Sequence, residues 1–90
     1  MSAPNTIWKY PLDVIDTQVI LMPEGAEILS VAIQRDIPCV WVKVDQNAKL
    51  QPRDIHIRGT GHPLYGYEGK FIGSFQLDGG AFVFHVFEGR

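Results

Sequence analysis

Residues 70–88 read KFIGSFQLDGGAFVFHVFE, two apolar runs on either side of Asp78-Gly79. An Asp-Gly pair between alternating apolar runs marks a β-hairpin, because both central positions of the tightest turn need φ > 0. With Asp78 and Gly79 in those positions, Leu77 faces Gly80, Phe75 faces Phe82, Gly73 faces Phe84 and Phe71 faces Val86. One face of the hairpin is then continuously apolar. The other carries Ile72, Ser74 and Gln76 against His85, Val83 and Ala81. Gly73 leaves room for an aromatic ring from the neighbouring strand. This hairpin is expected to be the centre of the fold.

Upstream, alternating runs recur with turn residues between them. Residues 6–10 form a β-favouring run with Trp8 and Tyr10 on one face, and Pro11 ends it or confines it to a sheet edge, since proline cannot donate to a ladder. Residues 18–22 read as a second strand, closed by a turn at Pro23-Glu24-Gly25. Residues 27–34 place Glu27, Leu29, Val31 and Ile33 on one side and Ile28, Ser30, Ala32 and Gln34 on the other; β-branched content favours a strand over a helix. In residues 39–45, Val40, Val42 and Val44 point to the core and Cys39, Trp41 and Lys43 point away. Residues 45–54 are polar, contain Pro52 and read as a mobile loop able to act as a flap. Residues 55–58 are a short strand with Ile55 and Ile57 inward and His56 and Arg58 outward. Residues 1–5 are expected to fray. The pattern predicts one all-β domain over residues 1–90, an antiparallel sandwich or barrel of six to seven strands with no long helix.

Composition narrows the function classes. Ninety residues, 46% of them apolar and five of them Phe, suffice for one small core near the lower size limit for independent stability, so a homo-oligomer is expected. A formal charge of −2 argues against bulk attraction to nucleic acid, which needs clustered excess Lys and Arg. The single Cys39 excludes an intrachain disulfide, no charged-then-apolar leader stands at the start, and no apolar run reaches the roughly 20 residues of a membrane-spanning helix. A cytoplasmic location is expected.

Residues 59–69, GTGHPLYGYEG, look least like structure: four glycines, a proline, two tyrosines and a histidine. Such a backbone can approach a ligand closely, and N–H groups around Gly59, Thr60 and Gly61 could hold an anionic oxygen beside Arg58 and His62. Tyr65, Tyr67 and Trp41 offer ring faces for stacking, and Lys43 joins them if its strand pairs with residues 55–58. The ligand-binding candidates are therefore Arg58, Gly59, Thr60, Gly61, His62, Tyr65, Tyr67, Trp41 and Lys43. Against them stands the plain reading that these glycines only permit a long turn. The spacing fits neither a phosphate-binding loop nor a dinucleotide fingerprint. His56, His62, His85 and Cys39 lack the close spacing of a zinc site, so no metal is expected. Cys39 with a histidine lacks an oxyanion-hole motif, and no catalytic residue or cofactor is assigned.

The blocks IWKYPL, PEGAEILSV, PCVWVKVD, IRGTGHPL and FIGSFQLDGGAFVFHVFE resemble those of a family of short, uncharacterised domains encoded by phages and bacterial prophages, over almost the whole chain. That resemblance implies a compact phage accessory protein in a bacterial cytoplasm and carries over no activity. Two expectations follow. One is a non-enzymatic oligomeric binding protein that sequesters a small anionic ligand, such as a nucleotide signal of host defence. The other is a protein-interaction or virion-accessory module with no small ligand.

Overall fold

The computed structural model describes residues 5–89. Seven strands run in chain order: β1 (Asn5–Pro11), β2 (Thr17–Pro23), β3 (Glu27–Gln34), β4 (Ile37–Asp45), β5 (Leu50–Gly59), β6 (Lys70–Leu77) and β7 (Phe82–Glu88). They form two antiparallel sheets, a three-stranded one in the order β1-β4-β3 and a four-stranded one in the order β2-β5-β7-β6. The sheets face each other as a flattened sandwich of 47 × 30 × 15 Å, with β3 laid against β6. Among the described residues the only helical turn is three residues long, Asp78–Gly80. Asn5 already belongs to β1, and the remainder of the stretch expected to fray lies outside the described residues.

The core is what the period-2 pattern dictates. Val40, Val42 and Val44 of β4 meet Ile55 and Ile57 of β5, Val86 of β7 and Phe75 of β6, closed by Leu12, Met22, Ala26 and Ile28. Pro11 sits on β1, an edge strand, where its missing N–H breaks no ladder. Cys39 shares the outward parity of Trp41 and Lys43 but is buried all the same, its thiol directed at the Ile37 carbonyl.

Five expectations need correction. The β6–β7 hairpin pairs Leu77 with Phe82, Phe75 with Phe84 and Gly73 with Val86, two residues out of the two-residue-turn register. Asp78 and Gly79 do take positive φ (52° and 64°), but Gly80 follows at 96° and Ala81 N–H returns to the Asp78 carbonyl, so the loop has four residues. An even shift keeps Phe75, Leu77 and Phe84 on the core face.

A bulge between Phe71 and Gly73 then reverses the parity: Ile72 packs against the core, while Phe71 turns outward against Phe87, ring centroids 5.5 Å apart. A second bulge, between Ile28 and Ser30, does the same in β3, so that Ile28, Val31 and Ile33 face inward and Leu29 is exposed. Gly73 admits not an aromatic ring but Val31 of the opposite sheet, whose Cγ1 lies 2.8 Å from where a Cβ would stand.

Finally, residues 50–54 are no flap. They are the first half of β5, paired to β2, with Pro52 opposite Leu21. β7 joins β5 only from Ile55 onward, so β5 is an edge over residues 50–54, the setting in which a strand tolerates proline.

Tyr10 carries the one buried side-chain polar atom without a hydrogen-bond partner among the described residues, its hydroxyl, and burial raises its pKa. An orphaned buried hydroxyl costs stability that its removal returns. Tyr10→Phe is therefore expected to raise stability by about 1 kcal/mol, read as a higher urea midpoint at unchanged slope; a lower midpoint would mean that the hydroxyl has a partner in solution.

Candidate functional site

On the outer face of β5, His56 and Arg58 point away from the core, as their parity requires, yet neither is exposed. The segment after β5 folds back over them. Gly61, Gly66 and Gly69 take positive φ and shape this return, and Gly69 allows no side chain because a Cβ would collide with the Glu88 carbonyl. The return path brings down Glu68, the one acid between Gly59 and Gly69, which is 4% exposed against 5% for Arg58.

The guanidinium is fully occupied. Nε and Nη2 both reach Glu68 Oε2 at 3.2 Å, Nη2 also donates to the Tyr67 hydroxyl at 3.1 Å, and Nη1 donates to the carbonyls of Asp16 (2.5 Å) and Ile57 (3.2 Å). The carboxylate is occupied as well. It accepts from the Tyr65 N–H at 2.9 Å and the Gly66 N–H at 2.9 Å. The Tyr65 N–H holds its pKa below the usual carboxylate value; the Gly66 N–H and Arg58 act in the same direction, and burial opposes them.

The glycine loop thus does bind an anionic oxygen on backbone N–H groups, but at Tyr65 and Gly66, and the anion is the chain's own. Of the N–H groups expected to be open, that of Thr60 is spent on the Val83 carbonyl, and the neighbouring His62 N–H is spent on the Gly59 carbonyl. Arg58, expected to be outward and open, is buried and ties together β5, the β1–β2 connection and the loop. Glu68 belongs to no motif, but a lone carboxylate in a glycine loop that directly follows an arginine is the signal that marks it.

What remains exposed is aromatic. Tyr65 (67%) and Tyr67 (58%) stack at 6.0 Å with their planes 10° apart, beside exposed Leu64. Arg58 Cζ lies 5.6 Å from the Tyr67 ring centre and 6.0 Å from that of Tyr65. Tyr67 also meets His56 edge to face at 5.2 Å, and Thr17 Oγ1 holds His56 Nδ1 at 2.9 Å. A small cavity of about 140 Å³ beneath this loop is lined by Asp16, Arg58, His62, Pro63, Tyr65 and Tyr67.

Thr60 and His62 line a second opening, of about 520 Å³, with Gly59 and residues 81–84. Next to it, His85 is held by Thr60 Oγ1 on Nε2 and by Ser74 Oγ on Nδ1, each at 2.8 Å. Thr60 Oγ1 also lies 3.3 Å from the Val83 carbonyl; in the tautomer that lets Thr60 donate there, His85 Nε2 donates to Thr60 and Nδ1 accepts from Ser74. Ser74 and His85 resemble a nucleophile and base in form, but no carboxylate among the described residues orients the imidazole, and the chain of bonds ties β6, β7 and the turn after β5 together.

Trp41 and Lys43 do not join this site. β4 lies in the other sheet and pairs with β1 and β3, which places both side chains on the far face of the sandwich, Trp41 opposite Lys9 and Ser30. Of the expected residues, the structure gathers Arg58, Gly59, Thr60, Gly61, His62, Tyr65 and Tyr67, with Arg58 consumed internally. Among the described residues no group of three His, Cys, Asp or Glu side chains could hold a metal ion, and no helix is long and apolar enough to cross a membrane.

No curated protein and no solved structure matches the chain. One family model does, over residues 3–90, and its description is Domain of unknown function (DUF7352). A match over residues 3–90, a range that takes in all seven strands of both sheets, places this protein in the DUF7352 family.

Proposed function

We propose that this domain is a non-enzymatic interaction module that presents Leu64, Tyr65 and Tyr67 to a protein partner, as a phage accessory protein would in a bacterial cytoplasm. The observation that carries the reading is the use of a buried ion pair and two backbone N–H groups to hold an exposed aromatic loop in one shape. Exposed tyrosines supply large contact area at little entropic cost, and a loop ordered beforehand avoids the cost of ordering on binding. The same ion pair weighs against capture of an anion at this loop, because its arginine is already neutralised.

Tyr65→Ala is the clean test, since Tyr65 makes no side-chain hydrogen bond among the described contacts whereas Tyr67 supports Arg58. A partner captured from host lysate and then purified is expected to bind the variant at least about tenfold more weakly, as for an aromatic hot spot, with an unchanged melting temperature. Equal affinity would overturn the reading.

A second reading, sequestration of a small nucleotide-like signal of host defence, is supported by the opening lined by Gly59, Thr60, His62 and residues 81–84. There Phe82 offers a ring and His62 an imidazole that can hydrogen-bond. Ultraviolet absorbance and mass spectrometry of the heat-denatured protein separate the two readings: a co-purifying nucleotide supports the second, a blank the first.

A further inference from the structure

The four sheet edges are not alike. β1 carries Lys9 within it and Pro11 at its end; β3 opens on Glu27 and bulges at Leu29; β6 opens on Lys70 and bulges at Ile72. Charges, prolines and bulges are the devices that keep an edge strand from pairing with another chain. β2, Thr17-Gln-Val-Ile-Leu-Met-Pro23, has none of them before its last residue: no charged side chain and an unbroken register with β5, its only neighbour.

Its outward side chains Val19 (60% exposed) and Leu21 (56%) stand beside one another, and Val14 and Ile15, in the connection leading into it, are exposed too. Directly opposed residues of an antiparallel pair share a face, so outward residues of one copy must meet outward residues of the other. The alignment that satisfies this and uses the whole strand puts a twofold axis at Ile20. It opposes Val19 to Leu21 of a second copy, twice, with no like charges brought together anywhere along the strand.

We propose that this protein forms a twofold dimer through β2, joining two four-stranded sheets into one continuous sheet. The occupant is a second copy because residues 17–23 match themselves in register and carry no charge to repel their own image, whereas a charged or bulged foreign strand would not fit; the only like charges brought near one another are the flanking Asp16 and Glu24, just beyond the strand ends. The interface is isologous, and it covers the edge that, among the described residues, carries no such device except the proline that ends it. It leaves the Tyr65–Tyr67 loop free, so it stands or falls separately from the interaction reading.

Sedimentation equilibrium of the full chain across the micromolar range is the test. A species of twice 10.1 kDa is expected. Val19→Lys with Leu21→Lys opposes like charges at both contacts, and because both positions are exposed the variant should keep the wild-type circular dichroism while dimerising at least about a hundredfold more weakly. Val19→Lys mixed with Leu21→Glu is expected to form a heterodimer in preference to either homodimer, since only the mixed pair opposes opposite charges in this register. A wild-type monomer throughout the range, undiminished dimerisation of the double lysine variant, or no heterodimer preference would each overturn the proposal.

Discussion

Arg58→Ala is expected to destabilise the domain by about 3–5 kcal/mol, the cost of breaking a buried ion pair from one side, where the stranded charge rather than the lost contact dominates. Glu68 would keep its two N–H bonds but lose its counter-charge, and the Asp16 and Ile57 carbonyls and the Tyr67 hydroxyl would lose their donor. A domain of this size holds only about 5–15 kcal/mol in total, so the loss is a large fraction of the whole. Urea titration followed by far-ultraviolet circular dichroism reads the effect. A midpoint within error of wild type would show the pair to be dispensable and would restore Arg58 as a candidate ligand contact. Arg58→Lys should recover little, because one ammonium cannot span Glu68, Tyr67 and Asp16 at once.

The same site sets part of the acid response. The carboxyl of Glu68 is held low in the folded state, first by the Tyr65 N–H, so the unfolded chain binds its proton more readily than the folded one. That contribution to stability is complete above the ordinary glutamate pKa of about 4.3 and is lost as pH falls through the lower folded value. Glu68→Gln removes it. The variant should be less stable than wild type at neutral pH, and its stability should fall less steeply on acidification; parallel acid curves would mean that Glu68 is free to titrate normally.

Strand positions and the valine face of β4 follow from the amino-acid pattern because side-chain period and core burial are the same fact in a two-layer sandwich. Three features do not follow, for separate physical reasons. The bulges place Leu29 beside Ile28 and Ile72 beside Phe71, so either parity buries something greasy, and only contact with the opposite sheet decides which. Residues 50–54 look like loop because proline and polar residues are common there, and they are held as strand by pairing with β2, about thirty residues earlier in the chain. The exposure of Arg58 depends on whether a glycine-rich segment folds back, which local pattern does not encode. The presence of one acid in that segment does encode it: a buried arginine needs a partner, and Glu68 is the only carboxylate the loop contains.

Phe75→Ala carries the other large effect and tests the hairpin register itself. Phe75 is buried in the core between the sheets and stacks on Phe84 with ring centroids 5.4 Å apart and planes 28° apart. Truncation should cost about 3–5 kcal/mol, because the surrounding β4 and β5 valines and isoleucines can close only part of the cavity. Phe84 is half-buried, so Phe84→Ala should cost less. Phe82 continues the stack at 6.5 Å but is exposed beyond the four-residue loop, so Phe82→Ala should stay within about 0.5 kcal/mol of wild type, as surface substitutions do. A two-residue turn would abolish that order, since it opposes Phe75 to Phe82 and moves Phe84 against Gly73. The three alanine variants, compared by denaturant midpoint, therefore separate the two registers: equal losses at positions 75 and 82 would contradict the four-residue loop, whereas a loss that declines from 75 through 84 to 82 follows from it.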